Sequence, residues 1–204
     1  MAVRPKESAG TGRGAVRPVK ERLLRVATRL FARNGFEGTS VQDIVDAAGV
    51  TKGAMYHYYG SKDDLLYEVY HQLLTMQMIR LTDIVKGSGS AEERLRLAAI
   101  DVVESSLANL DDMIVFFRSL HMLPADRQIQ VRAERRAYHD QFRGLVEEGM
   151  AAGSFRTAVP ADVVVHYYLS AVNQIGAWFR PDGPLTARDV AEQYADLLLG
   201  GLRA

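Results

Sequence analysis

Apolar side chains recur along most of this chain at the three- and four-residue spacing of amphipathic helices. The first such segment begins near Val19 and stops at Asn34-Gly35, a typical C-terminal signal. Its apolar face comprises Leu23, Val26, Ala27, Leu30 and Phe31. No segment alternates apolar and polar residues between turn signals, as a half-buried strand does. The pattern therefore predicts an all-α protein.

Polar capping residues mark where the next helices begin. Ser-x-x-Asp pairs at 40–43 and 61–64 resemble capping boxes. The first pair begins a short helix that ends at Gly49. The second pair begins a long helix that runs to about Val85. Thr51 caps another short helix between them. Further capping pairs and breaks at Pro and Gly predict helices at 91–109, 112–121, 126–152, 161–180 and 187–202.

The chain is expected to divide into a tail and two domains. Residues 1–17 are rich in Gly, Pro, Ala and Arg and lack an apolar period, so they are predicted to form a disordered basic tail. Residues 18–64 then form a small helical module, and residues 65–204 form a larger helical domain.

The composition excludes several classes of protein. Hydrophobic residues make up 48% of the 204 residues and charged residues 25%, as in ordinary globular proteins. The absence of cysteine excludes disulfides, a thiolate nucleophile and a cysteine-based zinc site. The N-terminal residues do not resemble a signal peptide, and no apolar stretch approaches about twenty residues. We therefore expect a cytoplasmic protein with no membrane contact.

The balanced charge, 25 basic against 25 acidic side chains, hides an asymmetry. Residues 1–62 contain eleven Lys and Arg and five Asp and Glu, a net charge of +6, so the rest carries −6. A basic end suits a polyanionic partner, and nucleic acid is the first candidate. The alternative is a solvated tail followed by a charged helix face.

The stretch from Thr39 to Lys62, TSVQDIVDAAGVTKGAMYHYYGSK, has the organisation of a helix-turn-helix. Its apolar positions, expected to be buried, are Ile44, Ala48, Val50 and Met55. The start and outer face of the second helix, which such a motif presents to base edges and phosphates, comprise Lys52, Gly53, Ala54, Tyr56, His57 and Tyr58. The alternative is an αα-corner of a helical bundle, but two exposed aromatic residues and a histidine flanked by lysines are unusual on a solvated face.

These residues resemble the tetracycline-repressor (TetR) family of bacterial transcription regulators. The matching positions are Gly35 to Val41, Ile44, Ala48 to Gly53, Met55 to Tyr59, and Ser61-Lys62. Val45 replaces the family's usual alanine and Tyr59 its usual phenylalanine, both on the packing side. The resemblance implies a homodimer that binds a palindromic double-stranded DNA operator and a larger domain that dimerises and binds an effector that releases the DNA.

The resemblance also assigns roles to individual residues. Phosphate contacts are expected from Tyr56, Lys62 and either Thr39 or Ser40. Positions nearest the bases are expected to be Gln42, Lys52, Gly53, Ala54, His57 and Tyr58. Thr51, which caps the second helix, completes the set of expected DNA-binding residues.

The C-terminal region is similar to the actinobacterial branch of the family that senses acyl-CoA thioesters, and within it to regulators of steroid-ring catabolism. The likeness lies in Trp178 to Thr186 (WFRPDGPLT) and in Val190, Tyr194 and residues 197–201. Ala177 stands where an arginine often precedes the tryptophan in that branch. The alternative for Pro181 to Thr186 is a helix end, a turn and a new cap.

A hydrophobic effector, such as a lipid-like acid or its CoA thioester, is therefore expected in the larger domain. Its predicted pocket comprises Leu73, Met76, Phe116, Phe117, Leu120, Tyr138, Phe142, Leu169, Asn173 and Trp178. Candidate partners for CoA phosphates are Arg118, Arg132, Arg136 and Arg180. We expect no cofactor and no metal, since His121, His139 and His166 show no paired spacing with carboxylates.

The last two helices carry more apolar positions than two terminal helices need within one subunit. The positions concerned are Val164, Tyr168, Ala171, Val172, Ile175, Val190, Tyr194, Leu197 and Leu198. Pairing across a two-fold axis would make them a four-helix interface and would place the recognition helices roughly 34–36 Å apart, one DNA turn.

Two other classes of protein compete with this interpretation. An enzyme is not expected, because neither G-x-S-x-G nor H-E-x-x-H occurs. A helical DNA-binding or protein-interaction module without an effector pocket remains the alternative to an effector-gated repressor. A cavity in the larger domain distinguishes the two.

Overall fold

The computed structural model describes residues 18–203, which form helices joined by loops and contain no strand beyond an isolated bridge between Phe155 and Arg203. The predicted disorder of residues 1–17 lies outside the described residues. The helices are α1 (Val19–Asn34), α2 (Val41–Ala48), α3 (Lys52–Tyr58), α4 (Lys62–Lys86), α5 (Ala91–Ala108), α6 (Leu110–Arg118), α7 (Ala125–Ala151), α8 (Ala161–Asn173), α9 (Ile175–Trp178) and α10 (Ala187–Leu202), with a 3-10 turn at Leu120–Met122. The all-α prediction is confirmed. No helix in this range is long and apolar enough to cross a bilayer.

The predicted caps form. Ser40, Ser90 and Thr186 each accept a hydrogen bond from the backbone N–H three residues on, and the acidic side chain at that position accepts one from the backbone N–H of the capping residue. Thr51 and Ser61 cap α3 and α4 with their hydroxyl oxygens in the same way. Each cap satisfies amides that the first helical turn leaves unpaired, which explains why these residues locate the helix starts.

Two of the predicted helices are broken. The segment predicted as one helix over 161–180 divides at Gln174 into α8 and α9, and the break lets Ile175 and Phe179 enter the core while Trp178 stays outside. The segment predicted over 112–121 begins earlier and ends at Arg118, and buried Ser119 separates it from the 3-10 turn. Apolar spacing does not mark a break that tertiary packing imposes between two helical segments.

Two hydrophobic cores share the long helix α4. The first joins α1, α2 and α3 to the N-terminal half of α4, to α6 and to the start of α7. The second joins the C-terminal half of α4 to α5, α7, α8 and α10. A boundary after residue 64 therefore falls at the start of a helix that belongs to both cores, so displacement of α4 affects both.

Candidate nucleic-acid interface and ligand cavity

The small module holds α3 in a fixed position on α1 and α2. Gly49 ends α2 in the left-handed conformation (φ 62°, ψ 43°), and the Val50 amide donates to the Val45 carbonyl at 3.0 Å, which makes the tight turn into α3. Ile44 and Met55 are completely buried between the helices. The turn and the apolar contacts leave one side of α3 without any packing partner.

That side of α3 presents polar and aromatic groups to solvent. Lys52, Tyr56, His57 and Tyr58 are exposed, with Tyr56 at 52% and Tyr58 at 44%. A Cβ placed on Gly53 would meet only the Thr51 hydroxyl, at 3.8 Å, so the fold itself does not require glycine there. An exposed lysine and an open backbone position at the helix start, with exposed aromatic residues in the last turn, suit close approach of a phosphate or a base edge.

Among the other residues predicted to contact DNA, some have exposed side chains, and some already have hydrogen-bond partners within the protein. Ser40 and Gln42 are exposed at the start of α2, where Gln42 Nε2 donates to Asp46 Oδ1 at 2.7 Å. The Ala54 amide already donates to Thr51 Oγ1 at 3.1 Å. Gln42 must therefore exchange its present partner before it reads a base.

The prediction that Thr39 contacts phosphate is wrong. Its side chain is completely buried, and its hydroxyl oxygen lies 2.8 Å from the Gly35 carbonyl and 3.3 Å from the Leu30 carbonyl, to which it donates. The threonine thus fixes the loop between α1 and α2 from inside.

Lys62 also faces this loop rather than free solvent. Its Nζ donates to the Phe36 carbonyl at 2.8 Å and to the Thr39 carbonyl at 2.9 Å, and it lies 4.2 Å from the centre of the Phe36 ring. With two of its three N–H donors engaged, the ammonium group anchors the start of α4 to the α1–α2 loop. The structure thus gives Lys62 a structural role, and the phosphate contact stays a prediction.

The larger domain contains a cavity of about 290 Å³ bounded by α4, α6, α7 and α8, with α5 at its base. Six predicted residues line it: Leu73, Phe116, Phe117, Tyr138, Leu169 and Asn173. Two predicted cations, Arg132 and Arg136, line it as well. Residues that prediction missed are Leu74, Gln77, Val102, Ser106, Met113, Arg135, His139, His166, Ser170 and Val172.

The other predicted pocket residues lie elsewhere. Phe142 is completely buried in the second core, and Met76 is half exposed outside the cavity. Trp178 stacks on Tyr194 with ring centres 6.4 Å apart, and Leu120 packs on the first core. Arg118 and Arg180 are exposed and do not line the cavity. Apolar spacing does not separate core residues from cavity residues, so the sequence did not identify which apolar side chains line this cavity.

One wall of the cavity is cationic. Arg132, Arg135 and Arg136 of α7 border it, and only Arg136 has a carboxylate within 4 Å among residues 18–203, Asp140 at 3.8 Å. Burial lowers the pKa of Arg135, whose guanidinium lies 5.1 Å from the centre of the Phe116 ring. The helical spacing of these arginines with His139 was the sequence signal that could have indicated a shared face.

Tyr70 and Tyr138 are buried tyrosines on two of the helices that line the cavity. Tyr70 is completely buried, and its hydroxyl donates to the carbonyls of Val115 and Phe116, with oxygen–oxygen distances of 3.0 and 2.9 Å. Burial raises the pKa of Tyr70 well above its usual value, as it does for Tyr138 on α7. Because Phe116 lines the cavity and α6 packs against α1, a ligand that moves α6 acts on the small module.

A second exposed surface lies on α8 and α10. Val163, Tyr167 and Leu197 are exposed at 53%, 73% and 75%, and Trp178 on α9 is exposed at 44%. The residues predicted for the dimer interface instead lie largely in the subunit's own core: Val164, Tyr168, Val172, Ile175, Val190 and Leu198 are buried. Both sides of α8 are apolar, so the sequence did not reveal which side faces inward.

Comparison with known proteins matches both parts of the chain. Residues 23–69 match the family model described as bacterial regulatory proteins, tetR family, and residues 88–202 match the model described as tetracyclin repressor-like, C-terminal domain. The transcriptional repressor KstR2 of Mycolicibacterium smegmatis is 30% identical over 188 residues, 90% of each chain.

Solved structures share the fold over nearly the whole chain. The ketosteroid transcriptional regulator KstR2 of Mycobacterium tuberculosis superposes with a TM-score of 0.84 at 27% identity, over 94% of this chain and 98% of that one. AibR, solved in complex with isovaleryl coenzyme A and operator DNA, superposes with a TM-score of 0.80 at 24% identity, over 89% of this chain and 98% of that one.

Proposed function

This chain belongs to the TetR family of bacterial transcription regulators, and from that premise we propose that its cavity binds a hydrophobic acid or the corresponding CoA thioester, which releases the protein from its operator. As a family member it is a DNA-binding transcriptional regulator that acts as a homodimer. Its relatives are regulators and not enzymes. We place its action in the cytoplasm, where bacterial DNA lies.

We propose that α3 enters the major groove and carries the sequence preference. The residues that remain for DNA contact are Ser40, Gln42, Thr51, Lys52, Gly53, Ala54, Tyr56, His57 and Tyr58. The exposed side chain of Lys52 and the open backbone position at Gly53 support this role, because a helix-turn-helix reads bases from the N-terminal part of its second helix. Thr39 and Lys62 would act indirectly by holding the loop before α2.

The observation that carries the effector proposal is the cavity, because α4 and α6 line it and also belong to the core of the small module. This arrangement favours an effector-gated regulator over a DNA-binding module without a pocket. A ligand between α4, α6 and α7 can change the position of α4 relative to α1 only if it binds the released state more tightly. Nearly complete release requires a preference of about 10⁴-fold.

The lining of the cavity defines the ligand class. Leucines, phenylalanines and a tyrosine form an apolar interior, whereas Arg132, Arg135 and Arg136 supply positive charge on one wall. A cavity of about 290 Å³ takes an apolar acyl group and leaves a bulky CoA moiety to the rim. The names of the relatives agree with this class, since KstR2 is a ketosteroid regulator and AibR is solved with isovaleryl coenzyme A.

The test of this proposal is an effector titration. Protein bound to a fluorescent duplex, selected by the wild type from random sequences, is titrated with a hydrophobic acid, its CoA thioester and free CoA. We expect release by the acid or the thioester and none by free CoA. Release by none of them, without a rise in melting temperature, would contradict an effector role for the cavity.

Arg132→Ala should raise the thioester concentration needed for half-release by about tenfold or more, because an arginine–phosphate contact contributes about 1.5–3 kcal/mol. Arg118→Ala is the matched control, since Arg118 is an exposed arginine outside the cavity. Equal potency in both variants would remove Arg132 from the ligand site.

Leu197→Glu should convert the dimer into a monomer in sedimentation at micromolar concentration. Leu197 is 75% exposed on α10 and Tyr167 is 73% exposed on α8, and we propose that these exposed sides pair across the two-fold axis. A charge buried there without a partner costs several kcal/mol. Ile129→Glu is the control, because Ile129 is 68% exposed on α7 and lies outside α8 and α10. A dimeric Leu197→Glu variant would place the interface elsewhere.

A further inference from the structure

Three side chains with metal-ligating atoms meet where α7 and α8 face each other. His139 comes from α7, and Asp162 and His166 lie four residues apart on α8. Their ligating atoms all lie within 4.8 Å of one another. His139 Nε2 is 3.9 Å from Asp162 Oδ1, and His166 Nε2 is 3.6 Å from Asp162 Oδ2. The two imidazole rings are 4.3 Å apart between centres.

None of these separations is a hydrogen bond, since N–H···O bonds span about 2.7–3.2 Å. His139 is only 8% exposed, and its buried Nε2 has no hydrogen-bond partner within the described part of the chain. A buried polar atom of this kind carries a free-energy penalty unless another group satisfies it. The atom is aimed at the space between Asp162 and His166.

Charged side chains surround the three residues. His139 Nδ1 is 3.8 Å from Asp140 Oδ1, which is beyond hydrogen-bond distance. Arg143 has three carboxylates within 4 Å, namely Asp140 at 3.5 Å, Glu147 at 3.3 Å and Asp162 Oδ1 at 3.8 Å, so its charge is shared among them. Asp162 Oδ2, which faces His166, remains the free oxygen.

We propose that His139, Asp162 and His166 bind a zinc ion. Two imidazoles and one carboxylate suit zinc rather than magnesium or calcium, which prefer oxygen ligands. Zinc–ligand bonds of about 2.0–2.1 Å in a tetrahedron place neighbouring ligand atoms about 3.3 Å apart. In this structure the ligating atoms lie within 4.8 Å of one another, so side-chain movements of up to about 1.5 Å bring them to that spacing.

The fourth coordination position would face the cavity, because His139 and His166 both line it. Three protein ligands and one open position are typical of zinc sites that bind a further small molecule. A carboxylate or carbonyl oxygen of the effector would complete the tetrahedron. This last step rests on the proposed function, whereas zinc binding by the three side chains does not.

The primary test is calorimetric titration of the tag-free full chain with zinc chloride, with magnesium chloride in a parallel run. We expect one zinc per subunit, a rise in melting temperature with zinc alone and no response to magnesium. His166→Gln should weaken zinc binding by about 100-fold or more, because it removes a direct ligand where loss of an outer partner already costs 10–100-fold. Asp162→Asn should weaken it similarly.

His121→Gln is the control, as an exposed histidine outside the cluster. His166 is itself exposed, so its replacement leaves the core unchanged, and melting without zinc checks this. Absence of zinc binding at micromolar concentration, or equal zinc affinity in His166→Gln and wild type, would overturn the site.

A second measurement separates the site from its coupling to the effector. Release of the duplex by the hydrophobic acid should need about tenfold less acid with zinc than with a chelator, and His166→Gln should remove that difference. Equal potency with and without zinc would refute effector coordination, while the calorimetric result decides the zinc site independently of any DNA binding.

Discussion

Operator affinity should fall by about 10³-fold or more between 50 and 200 mM salt, with Lys52 contributing to this dependence and Lys62 not. The expectation rests on a dimer that neutralises about six phosphates or more, each of which releases a counterion. The two lysines lie at opposite ends of the same motif but differ in their partners. Lys52 is exposed at the start of α3, whereas the Lys62 ammonium donates to the Phe36 and Thr39 carbonyls.

Lys52→Ala should therefore reduce the salt slope by about one per subunit and change which duplexes are preferred. Lys62→Met should leave the slope unchanged and lower the free energy of unfolding by about 1–3 kcal/mol, because two carbonyls lose a charged donor. Polarisation titrations at several salt concentrations and urea unfolding measure the two quantities on the same proteins.

Lys86→Ala, at the far end of α4, is the matched control for loss of one positive charge and should change neither quantity. If Lys62→Met instead lowered the salt slope at unchanged stability, Lys62 would be a phosphate contact after all. If Lys52→Ala left both the slope and the sequence preference unchanged, α3 would not be the reading helix.

Two glycines on α7 should respond to alanine with opposite signs. A Cβ on Gly149 would overlap the ring of Phe155, which is 2% exposed and cannot move into solvent. A Cβ on Gly144 would meet nothing within 4 Å on an exposed side of the same helix. Gly149→Ala should destabilise the protein by about 1–3 kcal/mol or more, and Gly144→Ala should stabilise it by about 0.5–1 kcal/mol.

Thermal unfolding at one protein concentration measures the difference, since each kcal/mol shifts the melting temperature of a domain of this size by about 2–4 °C. Phe155→Leu should cost less in the Gly149→Ala background than in the wild type, because the two side chains occupy the same space. A Gly149→Ala variant as stable as the wild type would show that the loop after α7 can move away from the helix.

The helical fold, the start of most helices and the family follow from the amino-acid sequence alone. Ser40, Ser90 and Thr186 located helix starts because a cap and its partner lie three residues apart. The Gly49 turn and the buried positions Ile44 and Met55 located the helix-turn-helix for the same reason. These features depend on residues that lie close together in the sequence, so the order of the amino acids is enough to predict them.

Only the tertiary structure decided what individual side chains do. Lys62 and Thr39 resemble surface contacts by position, but their partners lie on the loop before α2. Asp162 and His166 lie four residues apart in the sequence, but His139 belongs to another helix, and only the packing of α7 on α8 brings the two imidazole ring centres within 4.3 Å.

The same limit applies to the cavity and the dimer surface. Phe116 lines the cavity and Phe142 lies in the core, although both occur in apolar helix faces. On α8, Tyr168 is buried and its neighbour Tyr167 is exposed. Which side of an apolar helix turns inward depends on how the helices rotate and pack against one another, and that is set by contacts between residues far apart in the chain.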